Sequence, residues 1–311
     1  MAGKCKIIWP IQPLDSNDEL TKATHQFFLN LKKHMDFEIQ PVCVTSARMT
    51  QVSAYFEAAQ NEVLRDQMQS EMNRFTNHFA DLPMSEPVVI DDFSGLLSEE
   101  VQFFANHVKQ QKPDFVVMAS HGRKGWSRTF LGSFTESFLL RAEVPVFVIG
   151  PHSSGQGDLS KALMPVEIND SSAKFVEHFL DQNSLSFVKN IRLFHKISMV
   201  DYEDVAWAPT FYGVADYAQE DLVAQATKTS EEFLSAFMNH PLAQKRLSYE
   251  VSDRIDSVPE VILDTLTQDG EGLVIMRSQS GSISSRVLGS MTKEVIRESA
   301  VPVVVYPHHY K

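Results

Sequence analysis

Apolar positions along the first half of the chain switch between two spacings. Residues 6–11 (KIIWPI) form a short apolar run. Then Leu20, Ala23, Phe27, Leu31 and Met35 recur every three or four residues, the spacing of one helix face. Residues 38–44 read as a strand. A long helix follows, with Val52, Phe56, Ala59, Val63, Met68, Met72, Phe75 and Phe79 as its apolar stripe. Residues 87–90 are a weak strand, and 96–110 a helix with Val101, Phe104 and Val108 inward. Residues 114–118 and 144–149 are strongly apolar strands, separated by a loop and a helix over 134–142. Strands alternating with helices predict parallel strand–helix–strand units with right-handed crossovers. A continuous apolar run such as 115–118 is what a strand covered on both faces requires.

The pattern then begins again. KALMPVE at 161–167 matches KIIWPIQ at 6–12, with Pro165 lying 155 residues after Pro10. LGS recurs at 131–133 and 288–290, Thr135 at Thr292, and VPV at 144–146 and 301–303, all at an offset of 157. Strands are expected at 191–197, 246–251, 273–276 and 301–306, with helices over about 214–239 and 257–267. The latter opens on a capping box of Ser257 with Glu260. Residues 151–159 (PHSSGQGDL) form a Gly/Ser-rich stretch that reads as a flexible linker. The boundaries that follow are 1–151 for the first domain, 152–159 for the linker and 160–311 for the second, diverged domain.

Composition narrows the function. With 28 basic and 40 acidic side chains the net charge is −12, which repels a polyphosphate backbone and disfavours general nucleic-acid binding. The two cysteines, Cys5 and Cys43, lie in apolar runs without a CxxC partner. A disulfide framework or zinc site is not expected, and a cytoplasmic location is. No apolar run has the length of a membrane span. His308 and His309 read as a tail, so no metal is expected.

Candidate chemistry sits at 114–150. A buried strand ends in the small-residue loop ASHGRKG (119–125) and leads to a helix starting near Gly132 and Ser133. Gly122 and Gly125 permit close backbone approach. Helix-start N–H groups attract an anion, and Arg123, Lys124 and Arg128 add positive charge. The competing structural role for Ser133 is a capping box with Glu136.

Here the chain resembles the universal stress protein family, whose phosphate-binding pattern is Gly, two residues, Gly, nine residues, then Gly-Ser or Gly-Thr. Ala119, Gly122, Gly132 and Ser133 occupy those positions, with His121 and Arg123 flanking the first loop glycine. The resemblance covers both halves. It implies two open parallel five-stranded sheets of strand order 3-2-1-4-5, flanked by helices, related by a pseudo-twofold axis. It also implies an ATP, ADP or AMP site in the first domain, with Mg only if ATP is bound, with Gln12 lying by the nucleoside and Val44 among the nucleotide-binding candidates. Gln12 stands where ATP-binding members usually carry Asp. In the second half the pattern falls on Met276, Gln279, Gly289 and Ser290, with Glu167 matching Gln12; both loop glycines are gone. The family commonly pairs through its last strand, so 144–149 is expected to pair with 301–306, and a homodimer of the whole chain is a further expectation. The function implied is that of a stress-response sensor or regulator rather than a fast enzyme. The sequence has no P-loop and no carboxylate pair suited to magnesium. An alternative is a protein-interaction or small-ligand module using the aromatic stretch 200–212.

Overall fold

In the computed structural model of the chain, the described residues are 4–13, 18–45, 58–91, 96–120, 131–183, 185–197, 217–241, 243, 246–278 and 288–307. Strands and helices alternate throughout. The strands are β1 (Cys5–Pro10), β2 (Phe37–Thr45), β3 (Val88–Asp91), β4 (Phe115–Ala119), β5 (Val146–Ile149), β6 (Asp158–Pro165), β7 (Asn190–Lys196), β8 (Leu247–Ser252), β9 (Glu271–Arg277) and β10 (Val303–Tyr306). The helices are α1 (Asp18–Leu31), α2 (Ala58–His78), α3 (Leu97–Gln111), α4 (Ser133–Leu139), α5 (Asp170–Asp181), α6 (Tyr217–Ala236), α7 (Val258–Asp269) and α8 (Ser290–Glu298).

Two compact units result. One holds Met1–Gly157 together with α8 and β10, and the other holds Asp158–Ile275. The hydrogen-bonded strand order is β3-β2-β1-β4-β5-β10-β9-β6-β7-β8. Two separate five-stranded sheets were expected; the strands instead form one ten-stranded sheet. The reason lies at β5. Left unpaired, this fully buried strand would be an apolar sheet edge. It pairs antiparallel with β10, matching Val146 with Val305, Phe147 with Val304 and Val148 with Val303. β1 pairs in parallel with β2 and β4, β2 with β3, and β4 with β5; in the other unit β6 pairs in parallel with β7 and β9, and β7 with β8.

In the first unit, Trp9 packs edge-on against Phe28 of α1 and against Phe75 and Phe79 of α2, with ring centroids 5.2, 5.3 and 5.7 Å away. Phe104 of α3 meets Phe134 and Phe138 of α4 at 5.6 and 4.7 Å. These aromatic layers hold the helices on the strands, since offset and edge-to-face rings are favourable at such separations. In the second unit, Ser257 and Glu260 form the expected capping box at the head of α7.

Two expectations change. The helix α5 was not anticipated. Asn169 caps it by accepting a 2.8 Å hydrogen bond from the Ser172 N–H, and Val176, Phe179 and Leu180 are its buried stripe. The linker is not a free tether. Asp158–Ser160 already belong to β6. Ser153 is buried, and the Asn30 amide donates to the Gly157 carbonyl at 2.7 Å. Gly155 has φ +66°, and a Cβ there would lie 2.1 Å from the Ala23 carbonyl oxygen. Glycine at 155 therefore serves close packing on α1, not flexibility.

Candidate functional site

The strand order β3-β2-β1-β4-β5 reverses direction between β1 and β4. Beyond the carboxyl ends of those strands lies the crevice in which ligands of open α/β sheets bind. Gln12 follows β1, Val44 lies near the end of β2, and Ala119 ends β4. Gly132 and Ser133 open α4. The structure thus brings Gln12, Val44, Ala119, Gly132 and Ser133 to one edge of the first unit. His121, Gly122, Arg123, Lys124 and Arg128 lie outside the described residues, as do Gln279 and the aromatic stretch 200–212.

The two ends of the loop are pinned. The Ser120 N–H donates to the Ile149 carbonyl at 2.9 Å, and the Gly132 N–H donates to the Ser120 carbonyl at 2.8 Å. The Thr135 hydroxyl donates to the Ala119 carbonyl at 3.1 Å. Gly132 is the N-cap of α4, and a glycine has no side chain with which to cap it. The expected Ser133–Glu136 capping box is absent. Ser133 is already inside the helix, exposed, and Glu136 instead forms an ion pair with Lys293 of α8.

A buried carboxylate that the sequence did not single out stands beside Gln12. Glu100, in the first turn of α3, is only 2 % exposed and accepts a 3.3 Å hydrogen bond from the Gln12 Nε2. The Gln12 Oε1 is buried with no hydrogen-bond partner among the described residues. Burial, reinforced by the Glu100 charge, pushes the Cys43 thiol up to about 12. Glu100 is one of two adjacent glutamates at a helix start, an arrangement usually explained by the helix dipole on a solvated face. Sequence alone offered no signal to separate it from Glu99.

The second repeat is built differently. Glu167 accepts from the Asn169 Nδ2 at 2.9 Å, holding the residue that caps α5. Gly289 and Ser290 open α8, and the Gly289 N–H donates to the Ser278 carbonyl at 3.1 Å. The Thr292 hydroxyl donates to the Arg277 carbonyl at 3.0 Å. This matches the Thr135 bond to Ala119, so Arg277, not Met276, takes Ala119's place. Strand register agrees: Ile8 pairs with Val116, and its counterpart Leu163 pairs with Val274. From Ser120 to Gly132, and from Ser278 to Gly289, the second connection is one residue shorter. Among the described residues, no group of three His, Cys, Asp or Glu side chains could hold a metal ion.

The model of the universal stress protein family matches residues 12–150 and again 161–307. The chain belongs to the universal stress protein family. Solved structures of similar fold include a universal stress protein from Archaeoglobus fulgidus DSM 4304. It has a TM-score of 0.57 at 15% identity, over 97% of this chain and 96% of that one. A protein of unknown function from Pseudomonas aeruginosa PAO1 has a TM-score of 0.55 at 12% identity, over 98% of this chain and 93% of that one. At these identities the likeness is one of fold. No curated protein matches the sequence significantly. This universal stress protein is thus a tandem one, with two family domains in one chain. No described helix is long and apolar enough to cross a membrane.

Proposed function

We propose that this tandem universal stress protein is a stress-response sensor or regulator that holds an adenine nucleotide in its first repeat only. The observation that carries the reading is the meeting of Gln12, Val44, Ala119, Gly132 and Ser133 at the strand-order reversal, where α4 starts on Gly132. The sequence adds Gly122, His121 and Arg123 in the loop between them. Small residues and a positive loop suit a phosphate. The apolar end of β2, with Val42, Cys43 and Val44 buried, suits a base. In the second repeat, Arg277 replaces Ala119 and the connection is a residue shorter, so Gly289 and Ser290 meet a different loop. Glu167 is already engaged at the α5 cap. The antiparallel pairing of β5 with β10 joins the two repeats through their last strands, and Mg accompanies the nucleotide only when it is ATP.

Calorimetric titration with ATP, ADP and AMP tests this on the full chain, with Gly122→Glu and Ser290→Ala as companions. Expected are measurable binding by wild type, loss with Gly122→Glu and no change with Ser290→Ala. Absence of binding at millimolar nucleotide sinks the reading, and equal binding by wild type and Gly122→Glu moves the site elsewhere.

A further inference from the structure

Within the first unit, the register of β5 on β10 carries information about pairing. The repeat offset of 157 makes Val304 the counterpart of Phe147, and Lys293 the counterpart of Glu136. Phe147 is paired with Val304, and Val146 and Val148 flank it against Val305 and Val303. Glu136 of α4 reaches Lys293 of α8. Counterpart therefore meets counterpart twice, once on the sheet and once between the helices that cover it. That is the register of a surface folded onto its own copy about a local twofold.

On such a surface, two identical copies place identical residues face to face. Two first repeats would set Glu136 against Glu136; two second repeats would set Lys293 against Lys293. Only opposite repeats bring carboxylate to ammonium. The two side chains are 30% and 35% exposed, partly withdrawn from water, so the sign of the charge matters more than it would on an open surface. The strands themselves do not discriminate: β5 (VFVI) and β10 (VVVY) are both apolar and both fully buried.

We infer that Glu136 and Lys293 form a charge code that makes this surface accept the opposite repeat and reject a like one. The apolar strands supply adhesion, and the charged pair supplies the choice of partner, as repulsive elements do in other specific interfaces. The code excludes chain-to-chain pairing through like strands. It does not depend on the nucleotide reading.

The test uses four full-length chains: wild type, Glu136→Lys, Lys293→Glu and the double exchange. Each single reversal gives every pairing, like or opposite, the same repulsive contact, so discrimination is lost. Each is expected to raise the unfolding equilibrium constant about threefold to tenfold at low salt. Each also raises the fraction of chain-to-chain dimers in sedimentation velocity above wild type. The double exchange restores both readings to wild type. Glu136→Gln and Lys293→Gln repeat the association test without a like-charge contact inside the chain, should a reversal fail to fold. Four chains that sediment alike, or a double exchange that shows the summed losses of the singles, overturn the inference.

Discussion

Arg192→Met should destabilise the second unit by far more than an exposed substitution. Arg192 lies on β7, 18% exposed, and gathers three carboxylates. Its Nη1 lies 2.7 Å from Glu250 and 2.8 Å from Asp269, while its Nη2 contacts Glu271. Burial pulls the guanidinium pKa down. The hydrogen bond to Asp269 and the charges of Glu271, Glu250 and Asp269 outweigh it and hold the group above its ordinary value. Glu250 and Asp269 are 42% and 47% exposed, so each of these pairs contributes at most about 1 kcal/mol. Glu271 is different, at 8% exposed. Methionine fills similar volume but strands that carboxylate, and breaking a buried pair costs about 3–5 kcal/mol. With water reaching the rim of the cluster, the expected loss is about 2–4 kcal/mol near neutral pH. Urea unfolding of wild type and variant measures it. Arg192→Lys keeps the charge but loses the planar fork, and should fall between the two. A variant within about 0.5 kcal/mol of wild type at neutral pH refutes the reasoning.

Two further outcomes follow from single contacts. Gly155→Val should cost about 2 kcal/mol or more, because φ of +66° strains any β-branched residue and the new Cβ meets the Ala23 carbonyl at 2.1 Å; a melting temperature equal to wild type would contradict the docked strap. The Cys43 thiol, pushed up to about 12, should react with iodoacetamide many times more slowly in the native chain than in urea at about pH 8.5. Its folded pKa exceeds its unfolded one, so its contribution to stability is present below the unfolded value and is lost as pH rises toward about 12.

The sequence made the strands legible because burial on both faces writes a continuous apolar run, as in β4 and β5. The repeat was legible because Gly132, Thr135 and Pro145 and their counterparts keep their spacing, with Pro10 and Pro165 only two residues out of step. Helix α5 was missed because it has only 12 residues with a polar outer face, and its capping Asn169 does not advertise itself among neighbouring polar residues. The first-repeat candidates Gln12, Val44, Ala119, Gly132 and Ser133 fall along one edge of the sheet, while the second-half alignment on Met276 is one residue out of register. A constant offset cannot register a one-residue deletion inside a loop; only the Thr292 bond to Arg277 does. Glu100 was invisible because a buried and a solvated glutamate are the same letter. Gly155 was misread because glycine serves both flexibility and close approach, and only the Ala23 carbonyl decides between them.

Duplication followed by divergence explains why these features separate into two groups. What both repeats must share is dictated by burial and backbone bonding. The threonine that ties each loop strand to its helix, Thr135 or Thr292, and the glycine at each helix start survive because the strand-to-helix turn needs them whatever is bound. Other positions near that edge are not bound by this requirement, and there the repeats differ. Ala119 becomes Arg277, Gln12 becomes Glu167, and Glu136 becomes Lys293. The last change bears on the other two. Two identical repeats would have faced each other with like charges at Glu136, so opposite charges at 136 and 293 favour a pair of unlike repeats. By that code the halves stay paired through β5 and β10 while the second repeat's loop, residues 279–287, is free to diverge in sequence.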